Sequence, residues 1–231
     1  MTSQLASPDQ HVADPLVTVG EGIETCDVPE GLAAITRSDT ELVIWRRSLP
    51  LDMRAWLEGL PASCIPDLRI SVRPRDLRPA IRPHLANCGI PPGDMLDSLI
   101  EDIEVLVSMF ATIVRAPLVD IGLKRINHDS CWKFHRDCVE ARLLTTYLGP
   151  ATEWVQPIYG EQAIREQKGF KGPIEQLQNH DVALFKGNCA GPGGGIVHRS
   201  PPITGTDQTR LLLCLNKQSS VSPEPWPNYL E

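Results

Sequence analysis

His135 and Asp137 lie two residues apart in CWKFHRDC (131–138), and a second histidine, His198, follows about sixty residues later in GGGIVHRSPP (193–202). Arg210 stands twelve residues beyond His198 and opens the run RLLLCLN. Two imidazoles and one carboxylate can cover one face of an octahedral divalent cation and leave three positions open for other ligands. An arginine fork suits a carboxylate, which it binds through two parallel hydrogen bonds. A bare His-x-Asp is common by chance. The order His-x-Asp, then His, then Arg is what makes this set a candidate for a metal ion with an organic dicarboxylate beside it. Residues so far apart can meet only if a sheet rolls up and brings them to one mouth.

Other residues compete for attention. His128, Cys131, His135 and Cys138 give H-x2-C-x3-H-x2-C, a set of thiolates and imidazoles that suits tetrahedral zinc, although the spacing is tighter than in most structural zinc sites. The stretch GPGGGIV (191–197) is glycine-rich but leads into a strand and lacks the following Lys-Ser/Thr, so it does not match a phosphate-binding loop. Its expected job is a tight backbone turn just before His198. Cys189 or Cys138 beside a histidine could act as a nucleophile, but no local signature supports it. Cys214, inside LLLCLN, reads as core. Arg136 and Arg199 each adjoin a candidate ligand, so on a strand they would face the other way, toward the surface.

These side chains need a frame. The clearest element is the segment 91–117, in which Leu96, Leu99, Ile100, Ile103, Leu106, Val107, Phe110 and Ile113 follow the three-four spacing of one helical face. Asp94 could cap its start and Pro117 ends it. Asp97, Glu101, Asp102 and Glu104 crowd its first half, where the helix dipole favours acids. Beyond Pro117 the period shortens, and strands are expected over 118–126, 141–149, 152–159, 181–187, 194–202 and 209–217. A polar stretch at 160–180 interrupts them. Residues 26–90 are proline-rich, with a strand expected at 41–47 and a short helix at 51–60. A helix followed by many short strands implies a sandwich or barrel with a helical layer on one side.

The expected organisation is a polar tail over 1–25 and one domain over 26–231. Within it, 26–117 reads as mostly helical or irregular, 118–217 as a β core and 218–231 as a C-terminal tail. The net charge of −7 argues against bulk nucleic-acid binding. One basic strip, Arg69, Arg73, Arg75, Arg78 and Arg82, reads either as a solvated face or as a docking strip for an anionic partner. No apolar run is long enough for a membrane span, and the first residues do not read as a secretory signal. Seven scattered cysteines without a CxxC then favour free thiols in a cytoplasmic protein.

The run VALFKG…GGIVHRSPPITGTDQTRLLLCLN resembles the C-terminal half of the double-stranded β-helix of iron- and 2-oxoglutarate-dependent dioxygenases. FHRD before a strand resembles their first His-x-Asp. CWKFHRDCVEARLLTTYLGPATEW together with PGGGIVHRSPP also resembles an uncharacterised bacterial family of unknown function, over about residues 115–217. The resemblance implies an α+β, mainly β fold: a double-stranded β-helix, or cupin-like jelly roll, with a long buttressing helix and a helical N-terminal extension. It implies His135, Asp137 and His198 as ligands of Fe(II), with Arg210 anchoring 2-oxoglutarate. Tyr147 and Thr145 would share that carboxylate if the strand register allows, since Thr145 and Thr146 point to opposite faces. Lys186 is an alternative carboxylate partner, and Trp154 a pocket wall. The activity implied is oxygenation of a small molecule or peptide. The family's association with zinc-responsive gene neighbourhoods keeps a non-catalytic zinc-binding protein as the alternative.

Overall fold

The computed structural model describes residues 16–191 and 194–226. In chain order its first elements are β1 (Leu16–Gly20), β2 (Ile23–Cys26), β3 (Leu42–Trp45), α1 (Leu51–Glu58), β4 (Leu68–Val72), α2 (Leu77–Asn87) and α3 (Asp94–Val114). Next come β5 (Val119–Ile126), β6 (Ala141–Leu148), β7 (Glu153–Trp154), α4 (Gly160–Glu166) and β8 (Glu175–Gln176). The chain closes with β9 (Val182–Lys186), β10 (His198–Arg199), β11 (Arg210–Lys217) and β12 (Pro225–Trp226). Among the described residues the larger sheet has nine strands in the order β1-β2-β3-β9-β6-β11-β5-β4-β12, and a smaller one has the order β10-β7-β8. The architecture is thus mixed α/β around one large sheet.

Strand alternation gives the large sheet two faces with different jobs. Leu211, Leu213 and Leu215 of β11, with Leu143 and Tyr147 of β6, join a core shared with α1, α2 and α3. Leu212 and Cys214, with Leu144 of β6 and Phe185 of β9, join a second core shared with Trp154, Leu177 and Ile196. The small sheet therefore roofs the face opposite the helices. Arg210 belongs to this second face by its spacing from Leu212 and Cys214.

The long helix forms where its periodicity predicts. Leu96, Leu99, Ile100, Ile103, Leu106, Val107 and Phe110 are all buried beneath it. Each fully buried side chain of this kind contributes about 1.5–3 kcal/mol by removal from water. Gly93 takes the N-cap position expected for Asp94, and Asp94 and Asp97 sit in the first turn, where the dipole favours them. Arg115 ends the helix in the left-handed conformation, φ 53°, ahead of Pro117.

The N-terminal part departs from expectation. Residues 16–25, expected within a polar tail, lie in β1 and β2, and the rest of that expected tail lies outside the described residues. Alternating apolar positions allow this edge pairing, and Ile23 is fully buried. The segment 26–90 supplies β3 and β4 to the large sheet and does more than cover it. The stretch 77–87, broken in appearance by Pro79 and Pro83, is the helix α2, because Leu77, Ala80, Ile81 and Leu85 share one buried face. In the other direction, 152–159 forms only the two-residue β7, and 194–202 only the two-residue β10. Pro157 and Pro201 deny backbone donors there. Residues 160–180 hold α4 and β8, and β12 lies within the expected C-terminal tail.

The basic strip is largely neutralised from within. Arg69 pairs with Asp120 at 2.5 Å, Arg78 with Glu104 at 2.5 Å, and Arg82 with Asp97. None of the described helices is long and apolar enough to cross a membrane.

Tyr147 has a structural role on the helical face. Its hydroxyl donates to Asp102 Oδ2 at 2.6 Å, and Arg47 forks onto the same carboxylate. Burial, then the charge of Asp102, pushes the phenol well above its ordinary value. Asp102→Ala is expected to cost about 3–5 kcal/mol, because it strands a guanidinium and a phenol together. Tyr147→Phe is expected to cost about 1–1.5 kcal/mol. Urea unfolding of both variants checks the ranking.

Candidate metal centre

The centre is assembled by a pair of residues outside the long strands. His135 and His198 bridge antiparallel, each N–H donating to the other's carbonyl at 3.0 Å. Directly opposed residues on antiparallel chains put their side chains on one face. The two imidazole centroids are accordingly 4.6 Å apart. On its other edge β10 pairs with β7, His198 opposite Trp154. Phe185 of β9 closes over His198, with ring centroids 4.7 Å apart.

Backbone acceptors orient both rings. His135 Nδ1 lies 2.8 Å from Lys133 O, and His198 Nδ1 lies 3.1 Å from Ile196 O. A carbonyl only accepts, so each Nδ1 must donate, and each neutral ring then presents an unprotonated Nε2. Both Nε2 atoms turn to Asp137, His135 at 3.6 Å from Oδ1 and His198 at 3.3 Å from Oδ2. Potential ligand atoms of His135, Asp137 and His198 all lie within 4.8 Å of one another, and no other described residues form such a group. His128, Cys131 and Cys138 are not gathered with His135, so the expected alternative zinc set is not assembled.

Asp137 is buried and one-sided. Arg142 of β6 holds Oδ1 at 2.5 Å, whereas the buried Oδ2 accepts no hydrogen bond among the described residues. Burial alone would raise this carboxyl's pKa. When the rings are protonated, the His135 and His198 N–H groups, together with Arg142, outweigh it and hold the carboxyl far below its usual range. The same Asp137 contact raises the His135 pKa. Two imidazole lone pairs and an unpaired anionic oxygen therefore converge on one point, and a divalent cation fits that donor set.

The glycine-rich run does what its composition implies. Gly195 adopts φ +75°, and a Cβ there would fall 2.5 Å from Lys186 O. Gly187 is equally constrained, since a Cβ would meet Val139 O at 2.3 Å and Asp137 O at 2.5 Å. Gly195 thus packs against the Lys186–Gly187 backbone, and Gly187 in turn against the backbone of Asp137 and Val139.

Arg210 is fully buried. Its Nε donates to Pro150 O at 2.7 Å, one terminal nitrogen to Ser200 Oγ at 2.6 Å and the other to Thr152 Oγ1 at 3.4 Å. All three acceptors are neutral. Desolvation pushes its pKa down to about 10, so it remains a buried cation at neutral pH. Ser200 and Thr152 also line a narrow pocket of about 70 Å³ that includes His135, His198, Arg142 and Leu212.

Three of the carboxylate partners considered from sequence are elsewhere. Tyr147 and Thr145 face the helices, and the buried Thr145 hydroxyl has no hydrogen-bond partner among the described residues. Lys186 shares that facing, with Nζ donating to Arg37 O at 2.5 Å. The register of β6 puts Leu144 and Arg142 on the pocket face instead. Arg136 and Arg199 do turn from the rings but are half-buried rather than fully exposed. Arg136 pairs with Glu161 at 2.9 Å, and Arg199 pairs with Glu153 and covers Phe134. Trp154 is buried in the core beside His198. Arg142, Ser200 and Thr152 are the residues that sequence reasoning missed. The parity of Arg142 with Leu144 was the available signal.

The layering of a large sheet, with helices on one face and a small roofing sheet on the other, is similar to that of a solved dioxygenase. The dioxygenase for auxin oxidation 1 from Arabidopsis thaliana, in its binary complex with 2-oxoglutarate, superposes with a TM-score of 0.51 at 9% identity, covering 88% of this chain and 92% of that one. A Pseudomonas putida prolyl-4-hydroxylase aligns more loosely, with a TM-score of 0.39 at 12% identity over 81% of this chain and all 100% of its own. At 9% identity the likeness to the Arabidopsis protein is one of fold. By sequence, the chain belongs to the family described as "Protein of unknown function (DUF1826)", whose model matches residues 26–216. No curated protein matches it.

Once deprotonated at alkaline pH, with chelator present, both His135 and His198 are expected in the Nδ1–H tautomer. Nitrogen-15 chemical shifts of the two rings report this directly, and an Nε2–H signal from either would contradict the orientation described.

Proposed function

We propose that the protein is a non-haem Fe(II)- and 2-oxoglutarate-dependent oxygenase acting on a small molecule or peptide, built on a double-stranded β-helix. The observation that carries the reading is the convergence of two unprotonated Nε2 atoms with the unpaired Oδ2 of Asp137. The buried Arg210, whose donors meet only neutral oxygens, supports a carboxylate co-ligand beside that point.

Each side chain has a task in this reading. His135 Nε2, His198 Nε2 and Asp137 would hold the cation and leave the remaining coordination positions open. The carbonyls of Lys133 and Ile196 keep both rings in the ligating tautomer. Arg142 fixes one oxygen of Asp137, keeps the carboxylate ionised and leaves the other oxygen for the metal. Arg210, with Ser200 and Thr152, would clasp the distal carboxylate of 2-oxoglutarate, an interaction strengthened by burial. Leu144, Leu212, Ile126 and Cys214 line the pocket and exclude water. The pocket's volume is about 70 Å³. Bound Fe(II) would supply the dioxygen activation that none of these side chains can provide.

Asp137→Ala and His135→Ala are each expected to weaken Fe(II) binding on the order of 100-fold or more, read by anaerobic calorimetry. Both should abolish conversion of 2-oxoglutarate to succinate. Arg210→Lys keeps the charge but loses the planar fork, so 2-oxoglutarate affinity is expected to fall about 10- to 100-fold with Fe(II) affinity unchanged. A protein that retains zinc, ignores iron and gains no thermal stability from 2-oxoglutarate would overturn the oxygenase reading.

A further inference from the structure

Beyond the candidate metal centre, two thiols stand together. Cys138 Sγ and Cys189 Sγ are 3.7 Å apart, although 51 positions separate them in the chain. Both side chains are exposed. Both line the same cavity of about 430 Å³, which Arg69, Arg142 and Asn216 also border. Small molecules thus have a route to the sulfurs.

The pairing is built by the backbone. Asn188 N–H donates to Asp137 O at 2.9 Å, Cys189 N–H to Val139 O at 3.2 Å, and Gly187 N–H to Glu140 O at 3.2 Å. The missing Cβ of Gly187 permits this approach, because any larger residue would strike Asp137 O and Val139 O. A disulfide needs the sulfurs at about 2.05 Å, a closure within reach of side-chain rotation. The remaining cysteines differ. Cys26 and Cys214 are buried, Cys64 and Cys88 are half-buried, and the exposed Cys131 thiol has only its neighbour Ser130 as a hydrogen-bond partner among the described residues.

We propose that Cys138 and Cys189 are a reversible dithiol–disulfide pair, oxidised by low-molecular-weight disulfides that reach them through the adjoining cavity. One cysteine thiolate attacks the small disulfide, forming a mixed disulfide and releasing one small thiolate. The second cysteine thiolate then attacks the protein sulfur of that mixed disulfide, forming the Cys138–Cys189 bond and releasing the other small thiolate. The two cysteines lose two protons and two electrons, and the small disulfide becomes two thiols. Cys138 directly follows Asp137, so closure ties the segment carrying that carboxylate to the strand end leading from β9. The chemistry of the pair does not depend on the metal reading, and the two can fail separately.

The test is anaerobic incubation of the full-length protein with excess oxidised glutathione, then alkylation and peptide mass mapping. The expected product is a Cys138–Cys189 cross-link, two hydrogens lighter and reversed by dithiothreitol. In C138S, Cys189 should stop at the glutathione adduct. Because a closed loop of this length restricts the unfolded chain, the thermal midpoint of the oxidised wild type should rise by several degrees, with no such rise in C138S or C189S. Stable glutathione adducts on both cysteines without a cross-link, or a pair that stays fully reduced while Cys131 reacts, would overturn the proposal.

Discussion

A buried carboxylate answered on one side only organises this molecule. Asp137 has Arg142 and the His135 Nε2 on the side of Oδ1 and the His198 Nε2 near Oδ2, but no hydrogen-bond donor among the described residues completes Oδ2. An ionised group removed from water is costly unless charge or hydrogen bonds compensate it. Arg142 helps to keep it ionised, and a cation between the three donors would complete the compensation. Much of the surrounding fold can be understood as the means of holding that arrangement. The mutual bridge of His135 and His198 sets the rings side by side, and Gly187 lets the chain after β9 pack against the segment that carries Asp137.

Arg210 repeats the theme with opposite sign. It is fully buried, and its three hydrogen-bond acceptors are neutral oxygens. The partners of both charges line one narrow pocket: His135, His198 and Arg142 from Asp137, and Ser200 and Thr152 from Arg210. Such a layout suits a ligand with a carboxylate at its far end. A metal and an arginine placed so would divide the work of holding it.

The division of the sheet keeps structure and chemistry apart. The face toward α1, α2 and α3 is largely apolar, and its Asp102, Arg47 and Tyr147 network is satisfied internally. The opposite face carries Arg142, Arg210 and the pocket. Substitutions on the helical face therefore act mainly through stability, and substitutions on the roofed face act through the site. The likeness to the Arabidopsis dioxygenase extends over most of both chains at 9% identity, so what the two share is this layering.

The sequence by itself determined the long helix, most of the central strands and the His135, Asp137, His198 and Arg210 set. Each is written in local terms, as three-four or alternating periodicity or as residue types in a telling order. It could not decide which face of β6 meets the pocket, because a shift of one residue exchanges Thr145 and Tyr147 for Leu144 and Arg142. It misjudged α2 and the first strands, where burial against distant segments overrides proline and low local propensity. Nor could it separate the two roles of Cys138, expected near a zinc set and found beside Cys189. Those outcomes were decided by tertiary structure alone, because they depend on strand register and on which distant backbones pair. Neither is encoded in the spacing of a single stretch of chain.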